Sequence, residues 1–300
     1  MEEATINFDK FAFMLRLQTP VADAKCKVGI SYKDKIMMLG SCFSDNIGRQ
    51  LQNLGFDVCV NPFGTLYNPS SILRSIERLA DGTEFSIEDC IQIGAGDERW
   101  CSFSHHTSFA RNTVEEFLEN ANSVLEKART HFLESDKIII TLGTSWCFRH
   151  TEGDFIVSNC LKRPAAEFSR ERLSVDQTSR ILNRIMEICP EKEFIFTVSP
   201  IRHFKDGAHG NQISKAGLLL GIENITESGK ADYFPAYEIV MDELRDYRFY
   251  AEDMCHPSQQ AVDYILERFL AWALPSEEHP QMEENARAFR RSCHLENYRK

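Results

Sequence analysis

Short runs of apolar residues recur along the chain, separated by longer stretches with helical periodicity. The runs lie at residues 35–39, 56–60, 137–142 and 193–198. Almost every position in them is apolar, which is typical of strands that are buried on both faces of a parallel sheet. Glycine, asparagine or a serine-proline pair follows each run and marks where the strand stops. The pattern therefore predicts four strands, each of which ends in a polar turn.

The stretches between the runs have the period of amphipathic helices. Near Ser44 a pattern begins that places Ile47, Leu51 and Leu54 on one face and ends at Gly55. Further helices are predicted at residues 72–79, 114–132, 174–188 and 261–269, with Ser174 as the N-cap of the third. Strands that alternate with helices indicate an α/β fold in which helices cover both faces of a parallel sheet.

The polar turns follow the carboxyl ends of the predicted strands. They lie at residues 40–42, 61–64, 143–145 and 199–203. In open parallel sheets, ligands bind outside the carboxyl ends of the strands. We therefore expect these four turns to converge on one edge of the sheet and to contain the functional site.

Two segments differ from this alternation. Glycines bracket short alternating runs between residues 80 and 110, which predicts a small β excursion, with a lid as one interpretation. The charged tail at 275–300 is predicted to be an exposed helix. Because no repeat or low-complexity tract divides the sequence, we expect residues 1–300 to form a single domain.

Composition and charge exclude several classes of protein. With 43% hydrophobic and 26% charged residues, the 300-residue chain has ordinary globular usage, and a long disordered chain is excluded. The net charge is −11 and no block of Lys or Arg stands out, so we predict no nucleic-acid partner. No apolar stretch reaches the roughly 18 residues needed to cross a bilayer, so no membrane partner is predicted. The acidic start lacks a secretory signal, which favours a cytoplasmic protein.

The ten cysteines are scattered, and none forms a CxxC pair. We interpret most of them as small buried hydrophobic residues in a reducing compartment. Asp253, Cys255 and His256 are too close in sequence to surround one ion, so no metal site is expected. No other cofactor is predicted.

Residues 40–44 place two possible nucleophiles, Ser41 and Cys42, between a strand end and a helix start. Backbone N–H groups and the helix dipole at such a position lower the pKa of a thiol and stabilise a developing oxyanion. In the alternative interpretation, Ser41 or Ser44 only caps the helix and Cys42 packs beneath it.

A second candidate lies at residues 250–258, where Asp253 precedes His256 by three positions and Pro257 follows. This spacing lets the carboxylate fold back and hydrogen-bond the imidazole, as an orienting group does for a general base. We expect that hydrogen bond, with the other ring nitrogen facing the Gly40 turn. In the alternative, Asp253 is a turn residue and His256 is a polar residue at a helix start.

Five segments in order resemble the blocks of the GSCFA-domain family. They are residues 40–44, 61–64, 143–146, 199–203 and 253–256, and the similarity extends from Gly40 to Phe269. That family is placed with the SGNH/GDSL hydrolases. The resemblance implies a three-layer α/β/α sandwich with a central parallel sheet of flavodoxin-like topology. It also implies a nucleophile after the first strand, oxyanion donors from the next blocks and a late Asp and His.

The alignment of the blocks assigns roles to particular residues. Cys42 stands at the position of the nucleophilic serine in a GDS motif, and Ser41 is the alternative nucleophile. Gly64 matches the glycine whose N–H donates to the oxyanion. Ser145 stands where SGNH enzymes have an asparagine, and its hydroxyl would donate with a shorter reach.

Further polar residues lie beside these blocks. Arg202 could clamp a carboxylate or phosphate of the substrate, or it could form a salt bridge to one of the surplus acids. His203, His105 and His106 compete with His256 as the base, although a lone histidine is more often structural. Ser214 and Lys215 could form a dyad in principle, but adjacent residues on a helix face different ways.

These residues support two hypotheses of function. In the first, Cys42 or Ser41 attacks an ester carbonyl, His256 transfers the proton to the leaving alcohol and Asp253 orients the imidazole. Water as acceptor makes the protein an esterase, and a sugar hydroxyl makes it an O-acyltransferase. The substrate would be a small-molecule or carbohydrate ester. In the second, the protein is a binding module that keeps the hydrolase fold without its turnover.

Overall fold

The structure, a computed structural model, describes residues 19–21, 26–226 and 231–297, without the side chains of 294–297. The strands are β1 (Lys35–Gly40), β2 (Asp57–Val60), β3 (Ile91–Gln92), β4 (Trp100–Cys101), β5 (Lys137–Leu142), β6 (Trp146–His150), β7 (Phe155–Val157), β8 (Phe168–Arg172), β9 (Glu193–Val198) and β10 (Ala231–Phe234). The helices are α1 (Cys42–Asn53), α2 (Pro69–Asp81), α3 (Val114–Glu134), α4 (Val175–Ile188), α5 (Gly207–Thr226), α6 (Ala236–Glu238), α7 (Gln259–Ala273) and α8 (His279–Asn297).

The central sheet has five parallel strands in the order β10-β9-β5-β1-β2. Numbered by their order along the chain, these strands are arranged 2-1-3-4-5, which is the flavodoxin-like topology. The predicted α/β fold class is therefore confirmed. The edge strand β10 was not predicted.

Alternate residues of each strand face opposite layers of helices. Met37 and Leu39 pack into a core with apolar side chains of α2, α3, α4 and α5. Ile36 and Met38 point the other way, into a core with α1 and α7. Because both faces are covered, the inner strands β1, β5 and β9 are apolar at nearly every position after the first. The result is a three-layer α/β/α sandwich.

Helix α1 begins closer to the strand than the sequence pattern predicts. Ser41 is extended and its side chain accepts a hydrogen bond from the Phe43 N–H, so the helix starts at Cys42 rather than near Ser44. The prediction that Ser174 is an N-cap is confirmed, because it caps α4 in a capping box with Gln177.

Two smaller sheets lie outside the central one. The excursion near residues 80–110 contains the antiparallel pair β3–β4, as predicted. Its side chains Phe85, Ile93 and Phe103 are buried in the core, which argues against a lid. Strands β6, β7 and β8 form a three-stranded antiparallel sheet between β5 and α4 that the sequence analysis did not predict.

The ten thiols are all free, and four of them are buried: Cys90, Cys101, Cys147 and Cys189. The interpretation of most cysteines as buried residues is therefore wrong, since the other six are partly exposed. Within the described ranges, no helix is both long and apolar enough to cross a membrane. No three His, Cys, Asp or Glu side chains of the described residues are grouped so that they could hold a metal ion.

Candidate active site

Long-range hydrogen bonds fix the turn between β1 and α1. The Gly40 N–H donates to the Asn61 side chain at 2.8 Å, and the Ser41 N–H donates to the Thr141 carbonyl at 3.2 Å. Gly40 has a φ of +147°, and a Cβ there would lie 2.2 Å from the Thr141 carbonyl oxygen. Only glycine fits this close approach to the neighbouring strand.

The turn points its two possible nucleophiles in different directions. Ser41 is 1% exposed, and its Oγ accepts from the Phe43 N–H at 3.3 Å as the helix cap. Cys42 is partly exposed at the first helical position. The capping alternative therefore describes Ser41, while the thiol of Cys42 is the more accessible of the two groups.

The surroundings of Cys42 oppose ionisation of its thiol. Burial and the nearby Asp45 carboxylate raise the pKa of Cys42 to about 11, against the smaller lowering effect of the N–H groups of Cys42 and Phe43. The predicted lowering of this pKa at the helix start is therefore wrong. At neutral pH the thiol is protonated, so it needs a base to become a nucleophile.

A base of the required kind is present in the loop before α7. Asp253 Oδ2 lies 2.6 Å from His256 Nδ1, and Asp253 Oδ1 accepts from the N–H groups of Cys255 and His256 at 2.9 Å each. The predicted Asp253–His256 hydrogen bond is confirmed. These contacts, with the His256 N–H first, lower the pKa of Asp253 to about 2. An ionised carboxylate at Nδ1 keeps the proton there and leaves Nε2 as the acceptor.

The predicted convergence of the polar turns is confirmed by contacts between them. Besides the contacts of Gly40 and Ser41, the Arg202 N–H donates to the Cys255 carbonyl at 3.1 Å. The Cys255 thiol donates to the Arg202 carbonyl at 2.6 Å, which ties the base loop to the end of β9. A charge on Cys255 also raises the pKa of Cys42, so the two loops are electrostatic neighbours.

The two expected oxyanion donors are already engaged. The Gly64 N–H donates to the Asn61 carbonyl at 2.8 Å and closes a tight turn, with φ of +86° at Gly64. Ser145 is fully buried, and its Oγ donates to Ser214 Oγ at 3.2 Å because the short side chain does not reach the edge. Neither residue presents a free donor, contrary to expectation. The backbone N–H of Cys42, at the first position of α1, lies close to its own thiol.

Lys215 is a buried residue of the site that the sequence analysis considered only as half of a discounted dyad with Ser214. It is 1% exposed, and its Nζ donates to the carbonyls of Gly143 at 2.6 Å and Ser199 at 2.7 Å, at the ends of β5 and β9. Burial lowers its pKa to about 7. Ser214 instead contacts Ser145, so the two neighbours form no dyad, as expected. The signal in the sequence was that Lys215 comes directly before the apolar stretch 216–222 of α5.

The competing histidines have other surroundings. His105 lies among phenylalanine rings with Nδ1 2.7 Å from Ser102 Oγ, and burial lowers its pKa to about 3. Burial and Lys215 lower the pKa of His203 to about 4, and its Nε2 has no partner among the described residues. His106 packs on Gly64 and pairs with Ser108 Oγ at 3.0 Å. His256 is hydrogen-bonded to the carboxylate of Asp253. Within the described ranges, none of the other three histidines is hydrogen-bonded to a carboxylate.

Arg202 projects from the end of β9 beside the base loop. Its guanidinium lies over the Tyr250 ring, 4.6 Å from the ring centre. It forms no ion pair with any described residue, so the salt-bridge alternative has no support among them. Cavities of about 290 Å³ and 230 Å³ lie on its two sides. Because Arg202 lines both cavities, its side chain can contact a ligand in either.

Residues 35–269 match the model of the GSCFA family. No curated protein matches the chain significantly. Among solved structures, a family 3 carbohydrate esterase of Clostridium thermocellum is 13% identical over 80% of this chain and 94% of that one, with a TM-score of 0.36. An acetyl xylan esterase from the rumen bacterium Butyrivibrio proteoclasticus is 11% identical over 81% of this chain, with a TM-score of 0.38. This chain spans 64% of that esterase.

Proposed function

The chain belongs to the GSCFA family, and we propose that it cleaves ester bonds with Cys42 as the nucleophile. The observation that carries this proposal is an oriented base, His256 on Asp253, at the same edge of the sheet as a partly exposed Cys42. Ser41 remains the alternative nucleophile, but its buried Oγ is occupied as a helix cap.

The proposed reaction has two steps. His256 Nε2 takes the proton of the Cys42 thiol as the sulfur attacks the ester carbonyl, and the imidazolium then protonates the leaving alcohol. The Cys42 N–H at the start of α1 would hold the oxyanion in place of Gly64 and Ser145. In the second step, His256 takes a proton from water in an esterase, or from a sugar hydroxyl in an O-acyltransferase, as that oxygen attacks the thioester. The bond to the Cys42 sulfur breaks, and the imidazolium returns the proton to the sulfur.

The proposed substrate is a small-molecule or carbohydrate ester. Phe204 and Tyr247, which line the cavities on either side of Arg202, are 58% and 70% exposed. Their flat apolar faces are suited to the face of a sugar ring or an acyl chain. His203 and His106 would form the rim of the same site.

The Gly64 N–H and the Ser145 hydroxyl are already hydrogen-bonded, which favours a second candidate function, a binding module without turnover. Intact mass after incubation with p-nitrophenyl acetate separates the two. We expect release of p-nitrophenol and a gain of one acetyl group on the peptide that contains residues 40–43, absent in Cys42→Ala and present in Cys189→Ala. Neither product nor adduct in the wild-type protein would contradict the enzyme and support the binding module.

A further inference from the structure

The cavity of about 290 Å³ adjoins the base loop and has a cationic wall. Arg202 and Arg245 both line it, together with the rings of Tyr247 and Tyr250. Asp246 is the one acidic residue among the described residues that line it. None of these side chains has a role in the bond cleavage proposed above.

The two arginines lack the acidic partners that the rest of the chain offers in excess. The chain has 45 Asp and Glu against 34 Lys and Arg. Yet neither Arg202 nor Arg245 forms an ion pair with a described residue. The Asp246 carboxylate accepts from the Arg248 backbone N–H at 2.9 Å, and the Arg248 side chain lies 4.0 Å from it. Two arginines and one aspartate therefore line the cavity, which leaves it with a net positive charge.

The arrangement of Arg202 suits recognition of an anion. The side chain is half-buried and its guanidinium stacks on Tyr250. Arg202 also interacts as a hydrogen-bond donor with the Tyr250 hydroxyl. A guanidinium has five N–H donors, so others remain to match the paired oxygens of a carboxylate or phosphate. Tyr250 and the apolar side chains that line the cavity, Val240, Met241 and Leu244, would contact the uncharged part of the same ligand.

The backbone connects this cavity to the proposed base. Arg202 exchanges two hydrogen bonds with Cys255, the residue before His256. Tyr250 pairs with Pro257, the residue after His256, in an isolated β-bridge. An anion held by Arg202 is therefore held at a fixed position relative to His256.

We propose that the cavity between Arg202 and Arg245 is an anion subsite, and that the substrate is an ester carrying a carboxylate or phosphate. The substrate class rests on the proposed function, whereas the subsite itself is a statement about binding.

Equilibrium binding measured by calorimetry tests the subsite without any need for turnover. The probes are benzoate, phenyl phosphate and the neutral isostere benzamide. We expect the wild-type protein to bind benzoate about tenfold more tightly than benzamide, because a hydrogen bond between two charged groups is stronger than a neutral one. The ratio for phenyl phosphate shows which of the two anions the subsite prefers.

Three arginine substitutions serve as matched variants. Arg202→Met and Arg245→Met are each expected to weaken benzoate binding about tenfold and to leave benzamide binding unchanged. Arg245 is exposed, so its variant is expected to fold even where Arg202→Met does not. Arg248→Met removes a neighbouring charge that does not line the cavity, and we expect no change.

The outcomes separate the subsite from the proposed function. Equal affinity for benzoate and benzamide, or unchanged benzoate binding in Arg245→Met, would overturn the subsite whether or not the protein is an enzyme. Arginine-dependent anion binding in a protein that never releases p-nitrophenol would support the subsite and contradict the esterase.

Discussion

The nucleophile turn and the base loop meet at one edge of the sheet but are held in opposite ways. In the turn, Gly40 and Ser41 are buried, and their N–H groups bond to Asn61 and Thr141, which come from other elements. In the base loop, the Asp253 and His256 side chains are about half exposed, and the described hydrogen bonds of Asp253 stay within the next three residues. The backbone of the turn depends on distant segments, whereas the Asp253–His256 pair is a local structure.

This contrast predicts how the two regions respond to substitution. Buried hydrogen bonds and close backbone approaches contribute to folding, so changes at Gly40 and Ser41 should lower stability and activity together. Exposed charged groups contribute little to folding, so changes in the base loop should lower activity alone. The substitutions below test that separation.

The largest effect is expected at Gly40. Gly40→Ala would place a Cβ 2.2 Å from the Thr141 carbonyl oxygen, so we expect a loss of about 4 kcal/mol or more, or no folded protein. Gly96→Ala is the control, because Gly96 has a φ of +77° but nothing within 4 Å of its Cβ position. It should cost about 1 kcal/mol. Urea unfolding measures the loss of stability in both variants. If Gly40→Ala costs no more than Gly96→Ala, the turn is not held rigidly against β5.

The base loop should show the opposite result. His256→Ala and Asp253→Asn are each expected to lower kcat by about a thousandfold, because the general base and its orienting group are lost. Both side chains are about half exposed, so the urea midpoint should not change. His209→Ala, at an exposed histidine on α5, is the matched control and should keep full activity. If His256→Ala or Asp253→Asn lowered the urea midpoint as much as Gly40→Ala does, the two regions would not differ in their role in folding.

A smaller effect is expected from Lys215. Its folded pKa of about 7 lies below the 10.5 of free lysine, so between these values the unfolded chain binds a proton that the folded protein does not. Stability should therefore rise from pH 7 to pH 9, by at most about 1.4 kcal/mol per pH unit. Above pH 9 the buried thiols act in the opposite direction, because their pKa values are raised.

Substitution isolates the contribution of that lysine. Lys215→Met should abolish the rise between pH 7 and pH 9 in urea unfolding. Lys192→Met is the matched control, because Lys192 is also buried and donates to two backbone carbonyls, those of Leu133 and Ser135. It should keep the rise. A rise that persists in Lys215→Met would show that another group produces it.

The same contrast explains what the sequence could predict. The Asp253–His256 bond spans three residues, so spacing alone indicates it. The predicted strands β1, β5 and β9 are buried along almost their whole length, and their apolar runs are unambiguous. Strand β8, at Phe168–Arg172, has a largely exposed and charged sequence, which hides it. Strand β10 has four residues and lies at the sheet edge.

The site features that the sequence analysis got wrong depend on contacts between distant segments. The Gly64 N–H and the Ser145 hydroxyl are engaged by partners that spacing does not indicate. The pKa of Cys42 follows from burial and from Asp45, which outweigh the N–H groups at the helix start. Lys215 reaches the site only because α5 packs along the ends of β5 and β9.

The most direct test of the central claim is a comparison of Cys42→Ala with Ser41→Ala on p-nitrophenyl acetate. We expect Cys42→Ala to abolish turnover while folding normally. Ser41→Ala should keep a measurable fraction of kcat and lose about 1 kcal/mol of stability, because it removes only a helix cap. If Ser41→Ala alone destroys activity and Cys42→Ala is tolerated, the protein is a serine hydrolase and the assignment of Cys42 is wrong.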